Sequence, residues 1–262
     1  MGDKINKFDL TDTTAVVTGG ARGIGYSVAC TLARAGSDIV IVDILEEEGE
    51  KAAEEIKNIG RDSIFIKTDI TKNKEIVEMA EKVKEEFGSA DILATVAGII
   101  FREKAEDVKE EHWNKTIDVN LKGLFFCCQE IGKMMIEEEK GKIINISSIQ
   151  GEEVLPTRAS YAASKGGVKQ VTKSLAVEWA KYNINVNAIA PAFIRTPMVE
   201  KVLQEEPWGS TIINNTPMRR VGETEEVADV VHFLASEAAS YITGHVLLVD
   251  GGWTAGDYVE GI

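Results

Sequence analysis

The sequence is poor in the residues that build metal centres and disulfides. Cysteine occurs only 3 times in 262 residues, and Cys30, Cys127 and Cys128 all fall in apolar surroundings. Adjacent cysteines rarely make a structural bridge, so reduced, packed thiols in a cytoplasmic protein are expected. The 3 histidines, His112, His232 and His245, are scattered with no ligand spacing among themselves or with cysteine, which argues against a metal. Positive charge is scarce too: 29 Lys and Arg against 43 Asp and Glu leave a net charge of −14, so nucleic acid and anionic membrane are disfavoured as partners. No long apolar run offers a membrane span, and the opening M-G-D-K-I-N-K-F-D-L is too polar for a secretory signal. Asn6 stands where N-myristoylation wants Ser or Thr. Two glycosylation-like triplets, at Asn145 and Asn214, read as chance matches, the first inside a buried strand.

What is present is a repeating strand and helix pattern, with 44% apolar residues to fill one core. Residues 13–17 form an apolar strand, T-G-G-A-R-G-I-G at 18–25 a glycine turn, and 26–35 an apolar-periodic helix. Gly19, Gly23 and Gly25 let the backbone turn and approach a pyrophosphate beside Arg22 and Ile24, and the helix N-terminus favours its charge. No Gly-Lys-Ser or Gly-Lys-Thr follows, so a triphosphate P-loop is a poor match. The next strand, 38–42, ends in Asp43, about 20 residues past the glycines, where a carboxylate can accept hydrogen bonds from both ribose hydroxyls and would repel a 2′-phosphate. NAD is therefore expected over NADP, with Arg22 as the counter-argument. Strands at 63–67, 91–96, 142–146, 185–190 and near 246–249 continue the pattern. Helices are expected at 46–60, 74–87, 111–135, from Tyr161 onward, and at 223–235. About seven strands alternate with helices, which gives an α/β, doubly wound parallel sheet in a single domain, with its ligand beyond the carboxyl ends of the strands.

Chemistry concentrates after the strand 142–146. Ser148 follows its carboxyl end, and Tyr161 and Lys165 lie four apart on one face of a helix. A phenol titrates near pH 10, but an ammonium held close favours the phenolate. Tyr161 can then serve as acid and base, with Ser148 hydrogen-bonding the same substrate oxygen.

The glycine turn, Ser148, Y-A-A-S-K at 161–165, Asn120 and the D-G-G ending at 250–252 together resemble the short-chain dehydrogenase/reductase family, from about residue 10 to residue 252. The resemblance implies a Rossmann fold and a catalytic set of Asn120, Ser148, Tyr161 and Lys165, Asn120 marking a water that links Lys165 to solvent. It implies that Asp69 and the Ile70 backbone hold adenine, although Asp69 reads equally well as a helix cap. Ala97 and Gly98 permit close cofactor approach, and Tyr161, Lys165, Pro191, Ile194 and Thr196 hold the nicotinamide end. Two departures stand out: Thr95-Val96 replaces the usual pair of asparagines, removing hydrogen bonds expected to brace that strand, and Ala192 replaces a glycine.

Residues 198–220, the least regular stretch, correspond to the family's substrate lid, with Trp208, Arg219 and Arg220 as contact candidates. Gln150, Glu152, Glu153, Arg158 and Trp208 flank the pocket and suit a polyhydroxylated ligand. The chain looks like the sugar, polyol and sugar-acid dehydrogenases of the family, the gluconate 5-dehydrogenase type among them. The implied activity is an NAD(H)-dependent interconversion of a secondary alcohol and a ketone on a small molecule. A 3-oxoacyl-carrier-protein reductase using NADPH is the alternative, and a catalytically silent cofactor-binding regulator a more distant one. In relatives, the helices 111–135 and that of Tyr161 meet a partner subunit, so a homotetramer is expected.

Overall fold

The computed structural model describes residues 6–256; the Met-Gly start and residues 257–262 lie outside it. The first half of the chain alternates β1 (Thr14–Thr18), α1 (Gly23–Arg34), β2 (Asp38–Asp43), α2 (Glu46–Ile59), β3 (Ser63–Lys67), α3 (Asn73–Phe87) and β4 (Ile92–Thr95). The second half runs α4 (Glu110–Ile117), α5 (Leu124–Glu137), β5 (Gly141–Ile146), α6 (Ala159–Trp179), β6 (Ile184–Pro191), α7 (Pro197–Leu203), α8 (Trp208–Asn215), α9 (Thr224–Ala235) and β7 (Val246–Val249). All seven strands pair in parallel in the order β3-β2-β1-β4-β5-β6-β7. The order reverses between β1 and β4, and that switch point opens a crevice at the carboxyl edge.

β1, β4 and β5 are buried along their whole length, as expected of strands covered on both faces. Alternation then sorts their side chains. Ile39 and Ile41 of β2 join one core with Val28 and Leu32 of α1 and Val231 and Leu234 of α9. Val40 and Val42 face the other, with Ile76 and Met79 of α3, Ile131 and Met135 of α5, and Val168 and Leu175 of α6. All three cysteines are buried free thiols. α9 begins at a capping box in which Glu223 and Glu226 exchange side-chain and backbone bonds, a local stop that fixes its start.

Two expectations change. The helix expected over 111–135 is broken: α4 and α5 are joined by one π-helical stretch, Asp118–Gly123, with Asn120 inside it. The stretch expected to be least regular contains two helices, α7 and α8, gathered on a small apolar core of Val202, Ile212 and Val221 with Phe193 and Trp253 against it. Among the described residues no helix is long and apolar enough to cross a membrane, and no cluster of His, Cys, Asp and Glu could hold a metal.

Candidate active site

The carboxyl edge of the sheet opens into a cavity of about 1340 Å³, whose wall includes Gly19, Arg22, Gly23, Ile24, Gly25, Asp43, Asp69, Ile70, Ala97, Gly98, Ser148, Tyr161, Lys165, Pro191, Ile194 and Thr196. The chain reaches this edge from β1, β2, β3, β4, β5 and β6, so the sheet itself assembles the site.

The glycine turn is fixed by space as much as by φ. Gly19 has φ +69°, and a Cβ there would lie 2.7 Å from the Ala97 backbone across on β4's exit. Gly19 N also donates to Val42 O at 2.7 Å, which pins the turn between two strand ends. Arg22, the exposed N-cap of α1, gives no side-chain cap, and the first turn holds no acidic residue. The amides of that turn are thus left for an anion, the arrangement a pyrophosphate requires. Asp43 stands at the end of β2 with Oδ1 accepting from Ile44 N at 2.8 Å and Oδ2 from Ala21 N at 3.2 Å. This carboxylate is oriented by backbone and still faces the cavity. Steric cradle, open helix end and oriented acid together fit a dinucleotide.

Asp69 is not the cap of α3, whose N-cap is Lys72 without a side-chain bond. Its Oδ1 accepts from Thr71 N at 3.0 Å and from Thr71 Oγ1 at 2.7 Å, so it caps the following turn, and it also borders the cavity. Burial pushes its carboxyl up, but these bonds and Lys72 outweigh burial and hold it below the usual range. The Thr95 departure is compensated: Thr95 Oγ1 donates to Asn145 Oδ1 at 2.7 Å, and Asn145 Nδ2 donates to Thr172 Oγ1 at 3.0 Å. Val96 N is taken by Thr18 Oγ1 at 3.2 Å. β4 is therefore braced by hydroxyls in place of the missing amides.

At the substrate end, Ser148 Oγ accepts from Gln150 N at 3.2 Å, which leaves its own proton free to donate. Asn120, with 0% exposure, clamps the strand exit: Oδ1 accepts from Ile99 N at 2.8 Å, and Nδ2 donates to Ile99 O at 2.9 Å and to Ser164 Oγ at 3.1 Å. A π turn, unusual in regular helices and frequent at functional sites, is what turns this amide inward. Lys165, 3% exposed, donates from Nζ to Ile146 O at 2.7 Å, and a Cβ on Gly98 would lie 3.7 Å from that ammonium.

The electrostatics differ from the sequence expectation. Burial raises the Tyr161 phenol above its ordinary value, against the Ser148 hydroxyl and the Arg158 charge, which pull it down. The ammonium sits 5.7 Å from the Tyr161 ring centre and is spent on a backbone carbonyl. Burial also drives Lys165 down, to about 8. A depressed lysine binds fewer protons in the folded than in the unfolded chain between about 8 and its ordinary 10.5, so stability rises with pH across that window and is lost again as pH falls through it. Near pH 7 the buried charge costs roughly 3 kcal/mol, less the bond it makes. Lys165→Met should therefore abolish turnover while raising the melting temperature at pH 7 by about 5 °C. A lower melting temperature would show that the Ile146 contact outweighs the charge.

Some expected residues lie elsewhere. Gln150 is buried with Oε1 unpartnered, and Gln150, Glu152, Glu153, Arg158 and Trp208, all expected to flank the pocket, stand off the cavity wall and not on it. Trp208 opens α8 and covers the Arg158 guanidinium at 6.0 Å. Arg220 is held by both carboxylate oxygens of Glu226, and Arg219 donates to Asn214 O at 2.7 Å, and neither arginine is on the wall of the main cavity. Conversely, Arg102, Asn114, Lys115, Lys201 and Glu205 border the cavity and were missed. Arg102 was within reach of sequence reasoning, since it follows β4 on the same edge as the other site residues.

Fold and site define a dinucleotide-binding α/β oxidoreductase, and known proteins agree. The family described as enoyl-(acyl carrier protein) reductase matches residues 19–254. The chain is 42% identical over 247 residues to the NAD-dependent glycerol dehydrogenase of Listeria innocua, covering 94% of this chain and 96% of that one. It is 36% identical over 245 residues to the 5-keto-D-gluconate 5-reductase of Escherichia coli (94% and 96%) and 39% identical over 240 residues to a 3-oxoacyl-acyl-carrier-protein reductase of Staphylococcus epidermidis (91% and 98%). A gluconate 5-dehydrogenase from Burkholderia cenocepacia, solved with NADP and tartrate, superposes with a TM-score of 0.92 at 34% identity, covering 95% of this chain and 98% of that one. The chain belongs to the short-chain dehydrogenase/reductase family, enzymes that act on alcohol and ketone groups with a nicotinamide cofactor.

Proposed function

We propose that the protein interconverts a secondary alcohol and a ketone on a sugar, polyol or sugar acid, using NAD(H). The carrying observation is that Ser148, Tyr161 and Lys165 share one cavity with the glycine turn and Asp43. Gly19, Gly23, Gly25 and the open end of α1 would take the pyrophosphate, Asp43 the adenosine ribose, and Pro191, Ile194 and Thr196 the nicotinamide end. When bound, the nicotinamide supplies the hydride chemistry. Ser148 Oγ orients the substrate oxygen, and Tyr161 Oη gives or takes its proton. Lys165 places positive charge beneath them, and Asn120 holds the Ile99 backbone and Ser164 in register.

Support for NAD comes from the Asp43 carboxylate, whose charge opposes a 2′-phosphate. The expected result is a kcat/KM for NAD at least about 50-fold above that for NADP in oxidation of polyols and sugar acids. A preference for NADP overturns the Asp43 argument, and NADPH consumption with an acyl thioester would move the assignment to the carrier-protein reductase reading that the Staphylococcus relative favours.

Assembly as a homotetramer is the accompanying reading. Trp113 on α4 and Val177 on α6, the latter 82% exposed, lie on the helices expected to meet a partner. Light scattering should return four chains; a monomer at working concentration contradicts it.

A further inference from the structure

Arg158 is a buried cation without a counter-ion. It precedes α6 and is 5% exposed, and its Nε has no hydrogen-bond partner. Among the described residues its guanidinium makes no ion pair or hydrogen bond, and the Trp208 ring lies 6.0 Å from it. Burial and the charge of Arg102 both act against its protonated form, so two cations act on each other here and neither has an ion-pair partner among the described residues.

The backbone enforces that pairing. Glu103 N donates to Thr157 O at 2.9 Å, tying the loop after β4 to the loop before α6 at the residues next to Arg102 and Arg158. Arg102 borders the main cavity and makes no ion pair among the described residues either. In a chain with 43 acidic and 29 basic residues, an acid partner was easily available for both. Elsewhere the same chain pairs its arginines: Arg195 with Glu200 and Glu223, Arg61 with Asp38, Arg220 with Glu226. A buried charge left unpaired is costly unless something else arrives to satisfy it.

The position says what arrives. Arg158 lies three residues before Tyr161, one turn along the same helix start, and its charge reaches the phenol. We propose that Arg158, assisted by Arg102, is a specificity-determining clamp for a carboxylate on the substrate, so that the enzyme acts on hydroxy acids and their keto acids in preference to neutral polyols. A guanidinium offers a planar fork that a carboxylate matches with two parallel bonds, and the Trp208 ring closes the opposite face of that fork. This narrows the substrate class and rests on the oxidoreductase reading above.

The experiment compares D-gluconate with D-sorbitol, acid and neutral alditol of equal chain length, for the wild type, Arg158→Leu, Arg158→Lys and Arg102→Gln. Wild type should prefer gluconate by at least about 50-fold in kcat/KM, and Arg158→Leu should cut the gluconate-to-sorbitol ratio of kcat/KM roughly 50-fold, through KM for gluconate, while the effect of the lost charge on the Tyr161 phenol falls on kcat for both substrates alike. Arg158→Lys should recover part of the loss, and Arg102→Gln should show a smaller loss of the same kind. Wild-type preference for sorbitol overturns the clamp, as does an equal loss on both substrates in a variant that melts like wild type. Faster turnover of sorbitol 6-phosphate than of gluconate overturns the carboxylate assignment. Direct binding separates this from the reaction itself. Titration calorimetry of gluconate into the NAD-loaded Tyr161→Phe protein should show binding that Arg158→Leu abolishes; absence of binding in the parent counts against the clamp. Gluconate binding lost with Arg158, together with no reduced cofactor from any alcohol, would sustain the clamp and refute the oxidoreductase reading.

Discussion

Tyr161→Phe is expected to lower kcat by at least about 1000-fold and to leave NAD affinity within about 3-fold of wild type, measured by stopped turnover and by fluorescence titration. Removing the proton donor and acceptor takes away general acid–base catalysis, a term of about 10² to 10⁴, and also the anchor that holds the substrate oxygen against Ser148. The ring itself stays, half-buried, so the fold has no reason to change. Because burial raises the phenol above its ordinary value in the ligand-free protein, the hydroxyl is protonated at neutral pH. Ketone reduction, which needs that proton, should be level through neutrality and decline on the alkaline side. Alcohol oxidation, which needs the phenolate, should rise with pH. Residual turnover above one-tenth of wild type in Tyr161→Phe would remove Tyr161 from the reaction and leave the cavity without an acid.

The sheet was legible because its strands are short apolar runs, β1, β4 and β5 buried throughout, and two of them lead into residues on the cavity wall: Asp43 after Ile39–Val42, Ser148 after Ile143–Ile146. Periodicity carried the helices equally well where they are regular. It failed over 111–135, since a π turn inserts its extra residue without disturbing the apolar spacing on either side. Asn120, a poor residue for a helix interior, was the one local sign that something happens there. The pair α7 and α8 was hidden for a different reason. Val202, Ile212 and Val221 make a core only once α7 and α8 fold against each other, and they are too far apart in sequence to read as one face.

The site divides in the same way. Residues that act through the backbone or through helical spacing, such as Gly19, Asp43, Tyr161 and Lys165, could be named from sequence. Relations between distant segments could not. That Thr95 replaces an amide by reaching Asn145, and that the Glu103 to Thr157 bond ties the loop of Arg102 to the loop of Arg158, depends on register between strands and loops. The charge acting on Tyr161 belongs to the same category. Proximity in sequence pointed to Lys165 alone, but its ammonium is turned toward Ile146 O, and the Arg158 charge also acts on the phenol.

Gly25→Ala should produce a large structural effect for a single methyl group. A Cβ at Gly25 would be driven onto the Gly19 carbonyl, 2.7 Å from its carbon, and 3.1 Å from Gly20 Cα. These are backbone atoms of the turn itself, so no side chain can swing aside. Relief requires the first turn of α1 to move away from β1, yet α1 is held behind by α9 through Val28, Leu32, Val231 and Leu234. Overpacking of this kind costs about 1–3 kcal/mol, which at this size lowers the melting temperature by roughly 3–10 °C. The same displacement withdraws the open amides of the helix end from the pyrophosphate site, so NAD affinity should fall at least about 50-fold. Gly166→Ala is the matched control. It also adds one methyl to a helix beside the cavity, but the nearest atom outside that helix is Gly151 O at 3.9 Å. Helix propensity alone then predicts a gain of about 0.5–1 kcal/mol. Both measurements come from one calorimetric melt and one NAD titration. If Gly25→Ala bound NAD like wild type, the glycine turn would be a strand-to-helix connection only, and the dinucleotide would have to sit elsewhere on the sheet edge.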